Sequence, residues 1–299
     1  MRIDCDRVND PIEKIFDGVY GYKKPYNCMK ADLNDRVAVI TGASGMIGGA
    51  TADLYAKSGC HIAILDIADE AGEARAKRIR EEDGVKAKYY HCNLGSREEI
   101  AAVIKQVYAD FGKIDILFCN AGSNWGNREP LPKFDDQKFE INNDVNLHNG
   151  TVWIIKQVIP QMIEQGSGNI LLTSSVCGVT GLRRQCGFVG SKFAMAALTK
   201  SMALEYAKYG IRVNCLAPGS LPLPQAKLNF LWDTVSFDDY DSNFEHPDSM
   251  VYDIAARRPA YPTDMAGLML YLASDDACYT TGQVICVDGG WTAGFSGDY

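Results

Sequence analysis

Thr41-Gly-Ala-Ser-Gly-Met-Ile-Gly48 lies between a short apolar run and a stretch with helical patterning. Glycines at such a junction permit a tight turn. They also let backbone N–H groups at the start of a helix approach a pyrophosphate. Gly42, Ser44, Gly45, Met46, Ile47 and Gly48 are therefore expected to cradle the phosphates of a dinucleotide. A glycine loop alone carries little weight, but here an acid, Asp66, closes the next apolar run, where it can accept hydrogen bonds from adenosine ribose hydroxyls. The same carboxylate repels a ribose 2′-phosphate by roughly 3 kcal/mol per unit charge, at about 5 Å and an effective dielectric of about 20. Ile67 and Ala68 follow with no Arg or Lys to cancel that repulsion, so the expected cofactor is NAD rather than NADP. The alternative role for Asp66 is to cap the helix that follows.

Such a loop works only if strands and helices hold it, and the pattern around it supplies them. Apolar runs at Arg36–Thr41, His61–Asp66, Lys86–His91, Asp115–Cys119, Gly168–Thr173, Ile211–Leu216 and Gln283–Val287 alternate with helical stretches such as Asp69–Glu82 and Arg97–Phe111. Strands separated by helices of ten or more residues imply a parallel sheet covered on both faces. The expected fold is α/β, a Rossmann-like doubly wound parallel sheet in a single domain over residues 33–299. Residues 1–32 form an N-terminal extension whose aromatics suggest that it packs on the domain or on a neighbouring subunit. Residues 225–258 are long, acidic and aromatic, and are expected to act as a lid or binding loop.

The bulk properties exclude several classes. Of 299 residues, 46% are hydrophobic and 23% charged, enough apolar material for a sizeable core. A net charge of −8 disfavours nucleic acid and anionic membrane surfaces as partners. No apolar run reaches the length of a membrane span, and the first residues lack the apolar core of a secretion signal, so the cytoplasm is expected. The ten cysteines include no Cys-x-x-Cys pair and read as free thiols, several of them in apolar runs (Cys119, Cys215, Cys286). The four histidines have no ligand spacing, so no metal site is expected.

Further along the chain, Cys119-Asn120-Ala121-Gly122, Asn146, Ser174-Ser175, Ser191-Lys192, Asn214, Pro218-Gly219 and Asp288-Gly289-Gly290 follow Thr41-Gly42 in a characteristic order. In this order the chain resembles the short-chain dehydrogenase/reductase family, over about Asn34 to Trp291. The resemblance implies hydride transfer between nicotinamide and a secondary alcohol or ketone, in a homo-oligomer, tetramer or dimer. It implies that Asn93 and Leu94 stand where the family contacts adenine, and that Asn120, Ala121 and Gly122 line the adenosine side. Ile67 flanks the ribose, while Pro218 and Gly219 lie near the carboxamide. Lys192 would hold the nicotinamide ribose, Asn146 would support a kinked helix and a proton-relay water, and Ser175 would hydrogen-bond the reacting substrate oxygen. Three positions depart from the pattern: Met46 takes the middle-glycine place, Asn93 replaces an Asp, and Leu223 replaces a Thr after Pro218-Gly219.

The family's catalytic tyrosine precedes its lysine by four positions, which here gives Phe188, thirteen residues after Ser175. No tyrosine lies between Ser175 and Lys192. Phenylalanine keeps the ring and lacks the proton, and losing a general acid/base typically costs about 10²–10⁴ in rate. Two accounts stand. One is an engineered change that holds substrate and cofactor without turnover; the other is a natural variant that binds without hydride transfer or uses another acid. Ser175, Asn124, Trp125 and Arg183 are the expected substrate contacts. Polar groups mixed with aromatics suit a small polyhydroxylated substrate such as a sugar, sugar acid or polyol. The competing function is a non-catalytic NAD-binding scaffold.

Overall fold

Each strand forms where β-branched and other apolar residues run between turn signals, and each helix begins shortly after the glycine or polar turn that ends a strand. A computed structural model describes residues 31–123, 129–221, 254–256 and 260–294 of the chain. Seven strands result: β1 (Val37–Thr41), β2 (His61–Asp66), β3 (Ala87–His91), β4 (Ile116–Cys119), β5 (Gly168–Thr173), β6 (Ile211–Pro218) and β7 (Val284–Val287). They form one sheet in the order β3-β2-β1-β4-β5-β6-β7, with every pairing parallel. The strand order reverses between β1 and β4, which is where a doubly wound sheet opens a crevice at the carboxyl ends of its strands.

Both faces are covered. Helices α1 (Met46–Lys57) and α2 (Asp69–Glu82) pack on one side, together with the last helix of the chain. On the other side lie α3 (Arg97–Phe111), a long helix after β4, and the helix after β5. The long helix has three parts: α4 (Asp136–Asn143), a π-wound stretch Asp144–Trp153, and α5 (Ile154–Gln165). Helix α6 is Cys186–Tyr206 and α7 is Pro262–Ala273. The π winding has a local cause, because a Cβ at Gly150 would lie 2.0 Å from the Val145 carbonyl oxygen. Only glycine allows the backbone to close that tightly there.

Helix α7 is fastened from both halves of the chain. It packs along α1, where the Tyr55 hydroxyl donates to the Met269 carbonyl at 2.9 Å. Its last carbonyls are gathered by side chains from three strands or their edges. Arg36 donates to Ala273 at 2.9 Å, Asn169 to Leu272 at 2.6 Å and Arg212 to Leu272 at 2.7 Å. These donors satisfy the orphan acceptors of a helix end with groups suited to its negative pole.

The expected strands all form, two with unchanged ends and the others with an end moved by one or two residues; β6 runs on through Pro218. Cys119 and Cys215 are buried, but Cys286 is exposed because β7 pairs with β6 on one side only and forms the sheet edge. Asn124, Trp125, Leu223, the extension up to residue 30 and nearly all of the expected lid fall outside the described residues. Among the described residues, no helix is long and apolar enough to cross a membrane.

Candidate functional site

The glycine loop joins β1 to α1 at the carboxyl edge of the sheet. Gly42 has φ +69°, a left-handed conformation that a side chain disfavours, and a Cβ there would lie 2.9 Å from the Ala121 Cα. At Gly48 a Cβ would lie 2.5 Å from the Gly42 carbonyl oxygen and 2.6 Å from Asn120 Nδ2, so α1 meets the loop closely only because that position is glycine. Gly45 takes the N-cap place of α1 with no side-chain cap, and the first turn holds no acid. Met46 is thus the first helical residue. The N–H groups of that turn keep the positive pole of the helix open to an anion.

Asp66 closes β2 beside this turn. One carboxylate oxygen accepts from the Ser44 N–H at 3.0 Å; the other accepts from Ile67 at 2.8 Å and Ala68 at 3.2 Å. The N-cap position of α2 belongs to Ala68, so Asp66 ties the glycine loop to the end of β2 instead of capping that helix. Asn93 is exposed and turns its amide oxygen to the Gly95 N–H at 2.8 Å, while Leu94 is buried in the core.

Asn120 links the loop to the second half of the sheet. Its Nδ2 donates to the Thr41 carbonyl at 3.1 Å, and its Oδ1 accepts from the Thr173 hydroxyl at 3.3 Å. The Thr41 hydroxyl in turn accepts from the N–H groups of Asn120 and Ala121, each at 3.0 Å. Sequence reading took Thr41 only as part of the loop; its role as the peg under Asn120 and Ala121 depends on β1 and β4 being neighbours. Gly219 lies against the closing turn, where its N–H donates to Val287 at 3.0 Å and a Cβ would lie 2.7 Å from Asp288 Cα.

The expected catalytic residues come from the π stretch, the end of β5 and α6. Asn146 is fully buried, accepts from the Ser123 N–H at 2.7 Å, and donates to the Ser123 carbonyl at 2.8 Å and to Ser191 Oγ at 3.4 Å. Ser191 Oγ donates to the Phe188 carbonyl at 2.8 Å, so one hydroxyl joins the π stretch to the first turns of α6. Lys192 follows Phe188 by one helical turn, and its Nζ sits 5.6 Å from the Phe188 ring centre. That ammonium donates to the Thr173 carbonyl at 2.8 Å. Burial lowers the Lys192 pKa to about 8. A Cβ at Gly122 would lie 3.2 Å from Asn146 Oδ1 and 3.3 Å from Lys192 Nζ, so the glycine leaves space beside both groups.

Ser175 is half-buried at the start of the Val176–Gly178 turn and accepts from the Cys177 N–H at 3.1 Å. Its neighbour Ser174 is buried and donates to the Lys192 carbonyl at 2.7 Å, which locks the end of β5 to α6. Arg183 is exposed in the loop before α6, and the adjoining Arg184 has φ +63°. Sequence reading placed Ser123 in the substrate region and Ser191 in the Ser191-Lys192 motif, and gave neither a part in holding Asn146. Their part rests on one backbone group and one hydroxyl that contact Asn146 only after the long helix has packed.

A hydrogen-bonded glycine loop, a terminal acid on β2 and a buried lysine one turn from an aromatic ring, on a seven-stranded parallel sheet, define a nucleotide-binding oxidoreductase scaffold. The short chain dehydrogenase family model matches residues 36–227, and the chain belongs to that family. A 2,5-dichloro-2,5-cyclohexadiene-1,4-diol dehydrogenase of Sphingobium indicum is 35% identical over 264 residues, covering 88% of this chain and 99% of that enzyme. A sorbose reductase of Candida albicans is 34% identical over 87% of this chain and 88% of its own length. The structure of an NAD+-bound xylitol dehydrogenase superposes with a TM-score of 0.78 at 34% identity, over 86% of this chain and 99% of that one. The relatives are oxidoreductases, and nicotinamide-dependent oxidoreduction is the chemistry of the family.

Proposed function

We propose that this chain is an NAD-dependent dehydrogenase or reductase scaffold for a secondary alcohol or ketone, impaired in this form by Phe188. The observation that carries the reading is the buried Lys192 ammonium, held on the Thr173 carbonyl 5.6 Å from a ring that lacks a hydroxyl. The site fits a dinucleotide. Helix α1 offers uncapped N–H groups, and Gly122 leaves open the space beside Lys192 and Asn146. Gly42 to Gly48 would hold the pyrophosphate, Asp66 and Ile67 the adenosine ribose, and Asn93 and Leu94 the adenine. Asn120 to Gly122, Pro218 and Gly219 would line the rest, and Lys192 the nicotinamide ribose. When bound, the nicotinamide supplies the hydride acceptor or donor.

The chain's own residues then divide the remaining work. Ser175 orients the substrate oxygen, and Lys192 lowers the cost of negative charge beside it. Asn146, fixed by Ser123 and Ser191, shapes the helix behind the lysine. A tyrosine hydroxyl at position 188 would hold and pass the proton, and phenylalanine leaves that step without its donor. Asp66, with no adjoining cation, favours NAD over NADP.

The substrate is read as a sugar, sugar acid or polyol. The similarity to a sorbose reductase and to a xylitol dehydrogenase supports this, with Asn124, Trp125 and Arg183 as contacts beside Ser175. Apolar side chains left exposed on the long helix (Phe139, Ile141, Val152) and on α6 (Phe193, Leu204) support self-association as a dimer or tetramer. Among the described residues all eight cysteines are free thiols, which supports a reducing, cytoplasmic setting.

Phe188 also favours a second reading, a protein that binds NAD without turnover. Calorimetric titration with NAD, followed by NADH formation assays of Phe188→Tyr against polyols, sugars and sugar acids, separates the two. Binding with restored turnover supports the enzyme; binding without turnover supports the scaffold.

A further inference from the structure

At the carboxyl end of β3, three side chains share one carboxylate. Asp69, the first residue of α2, has its Oδ1 2.7 Å from His91 Nδ1 and accepts from the Tyr89 hydroxyl at 2.6 Å. The same Tyr89 oxygen lies 2.8 Å from the Asp66 carbonyl oxygen, and His91 is the direct strand partner of Asp66. The cluster is continuous with the glycine loop. A Cβ at Gly72 would lie 2.2 Å from the Tyr89 ring and 3.1 Å from Ser44 Oγ, so ring, helix and loop meet where that glycine stands. The Ser44 N–H closes the circuit on the Asp66 carboxylate.

Among the described residues, the charged groups that act on His91 are acids. Asp69 faces it from α2, Asp66 is its partner on β2, and Glu99 on α3 adds a more distant negative charge. Tyr89 is a neutral donor whose phenol is pushed well above its ordinary range, first by burial and then by Asp69. The hydrogen bond to Asp69 raises the His91 pKa, and Tyr89 and His91 together lower that of Asp69. Asp69 is therefore a carboxylate through the neutral range, and His91 is the member that changes charge. Protonated, His91 cancels Asp69; neutral, it leaves the Asp69 charge uncancelled.

We propose that Asp69, His91 and Tyr89 form a second specificity-determining group beside Asp66, in which the charge on His91 sets how strongly the site rejects a phosphorylated adenosine ribose. This rests on the reading of Asp66 as the ribose-binding acid. Tyr89 is a positioning residue, since its hydroxyl donates to Asp69 and its ring packs against Gly72 of α2. A 2′-phosphate meets one more unit of negative charge above the His91 pKa than below it, whereas NAD carries no group there to feel the difference.

The test is calorimetric titration of NAD and NADP from pH 6 to pH 9 with the unaltered protein, His91→Gln and His91→Lys. The 2′-phosphate loses its own proton in this range, and His91→Gln measures that common contribution. In the unaltered protein the ratio of NADP to NAD dissociation constants should rise with pH by roughly three- to tenfold more than in His91→Gln, a range set by one screened charge at the protein surface. His91→Lys, positive throughout, should keep the ratio low at every pH. Equal pH slopes for the unaltered protein and His91→Gln, or a ratio in His91→Lys no lower than in His91→Gln, would overturn the proposal while leaving the Asp66 reading intact. Failure of NAD to bind any of the three forms would overturn the Asp66 reading and this proposal with it.

Discussion

Phe188→Tyr adds a single oxygen to a half-buried ring already placed by the first turns of α6. The Lys192 Nζ lies 5.6 Å from the centre of that ring. A unit charge at that separation, with an effective dielectric of about 20, stabilises a phenolate by about 3 kcal/mol, or about two pKa units. The phenol then moves down from its ordinary value of about 10 toward the region into which burial has already lowered Lys192, so the two groups titrate as a coupled pair. Oxidation of an alcohol needs the phenolate as base, so its rate should rise with pH through this region, and reduction should fall. The expected gain at the optimum is about 10²- to 10⁴-fold in kcat, with NAD affinity changed by less than about threefold, because the hydroxyl acts mainly in the transition state. NADH absorbance against a panel of polyols, sugars and sugar acids reads the rate, and calorimetry reads the binding. A tyrosine form that binds NAD and a panel ligand yet stays as inert as the present chain would refute the enzyme reading.

Other outcomes follow from single groups. NAD should bind at least about tenfold more tightly than NADP, and Asp66→Asn should remove most of that preference; equal affinities in the unaltered protein would sink the Asp66 argument. Lys192 has a folded pKa of about 8 against about 10.5 unfolded, so its burial penalty is full below pH 8 and is relieved as pH rises toward 10.5. Relative to the unaltered protein, Lys192→Met should therefore lose up to about 3 kcal/mol of stability between those pH values in urea melts; a constant difference would mean that the lysine titrates normally. Gly48→Ala drives a methyl group to within 2.5 Å of the Gly42 carbonyl, and should cost about 1–3 kcal/mol. Gly267→Ala, in α7 with nothing within 4 Å of its Cβ position, should instead stabilise by up to about 1 kcal/mol. Chemical denaturation of the two variants compares them directly.

The inner strands were readable because each is a buried apolar run punctuated by glycine or charge. His61–Asp66 is bounded by Gly59-Cys60 before it and by an acidic helix start after it, and the structure keeps those limits unchanged. Asp144–Trp153 was not readable as a π stretch. Its winding depends on the contact of Gly150 with the Val145 carbonyl and on the Thr151 hydroxyl, which donates to the Asn146 carbonyl at 2.8 Å, and neither leaves a periodic signature. The glycine loop and Asp66 could be read locally, since a turn and a strand end are properties of adjacent residues. The union of Tyr89, His91 and Asp69 could not, because it needs β2, β3 and α2 assembled in register. Likewise, Ser191 stands beside Lys192 in sequence, yet its bridge between Asn146 and Phe188 exists only after the long helix has packed against α6.

The fastening of α7 has a consequence for how the polypeptide is made. The residues that close around its last turn, Arg36, Asn169 and Arg212, are synthesised before it, as is the α1 face that carries Tyr55. While α7 is still inside the ribosome, α1 and α2 cover that face of the sheet only in part, and these donors have no helix end to bind. The growing chain therefore carries an incompletely covered apolar surface until α7 emerges, a state in which holdase chaperones have a target. The family model spans residues 36–227 and so stops short of the helix that completes this face.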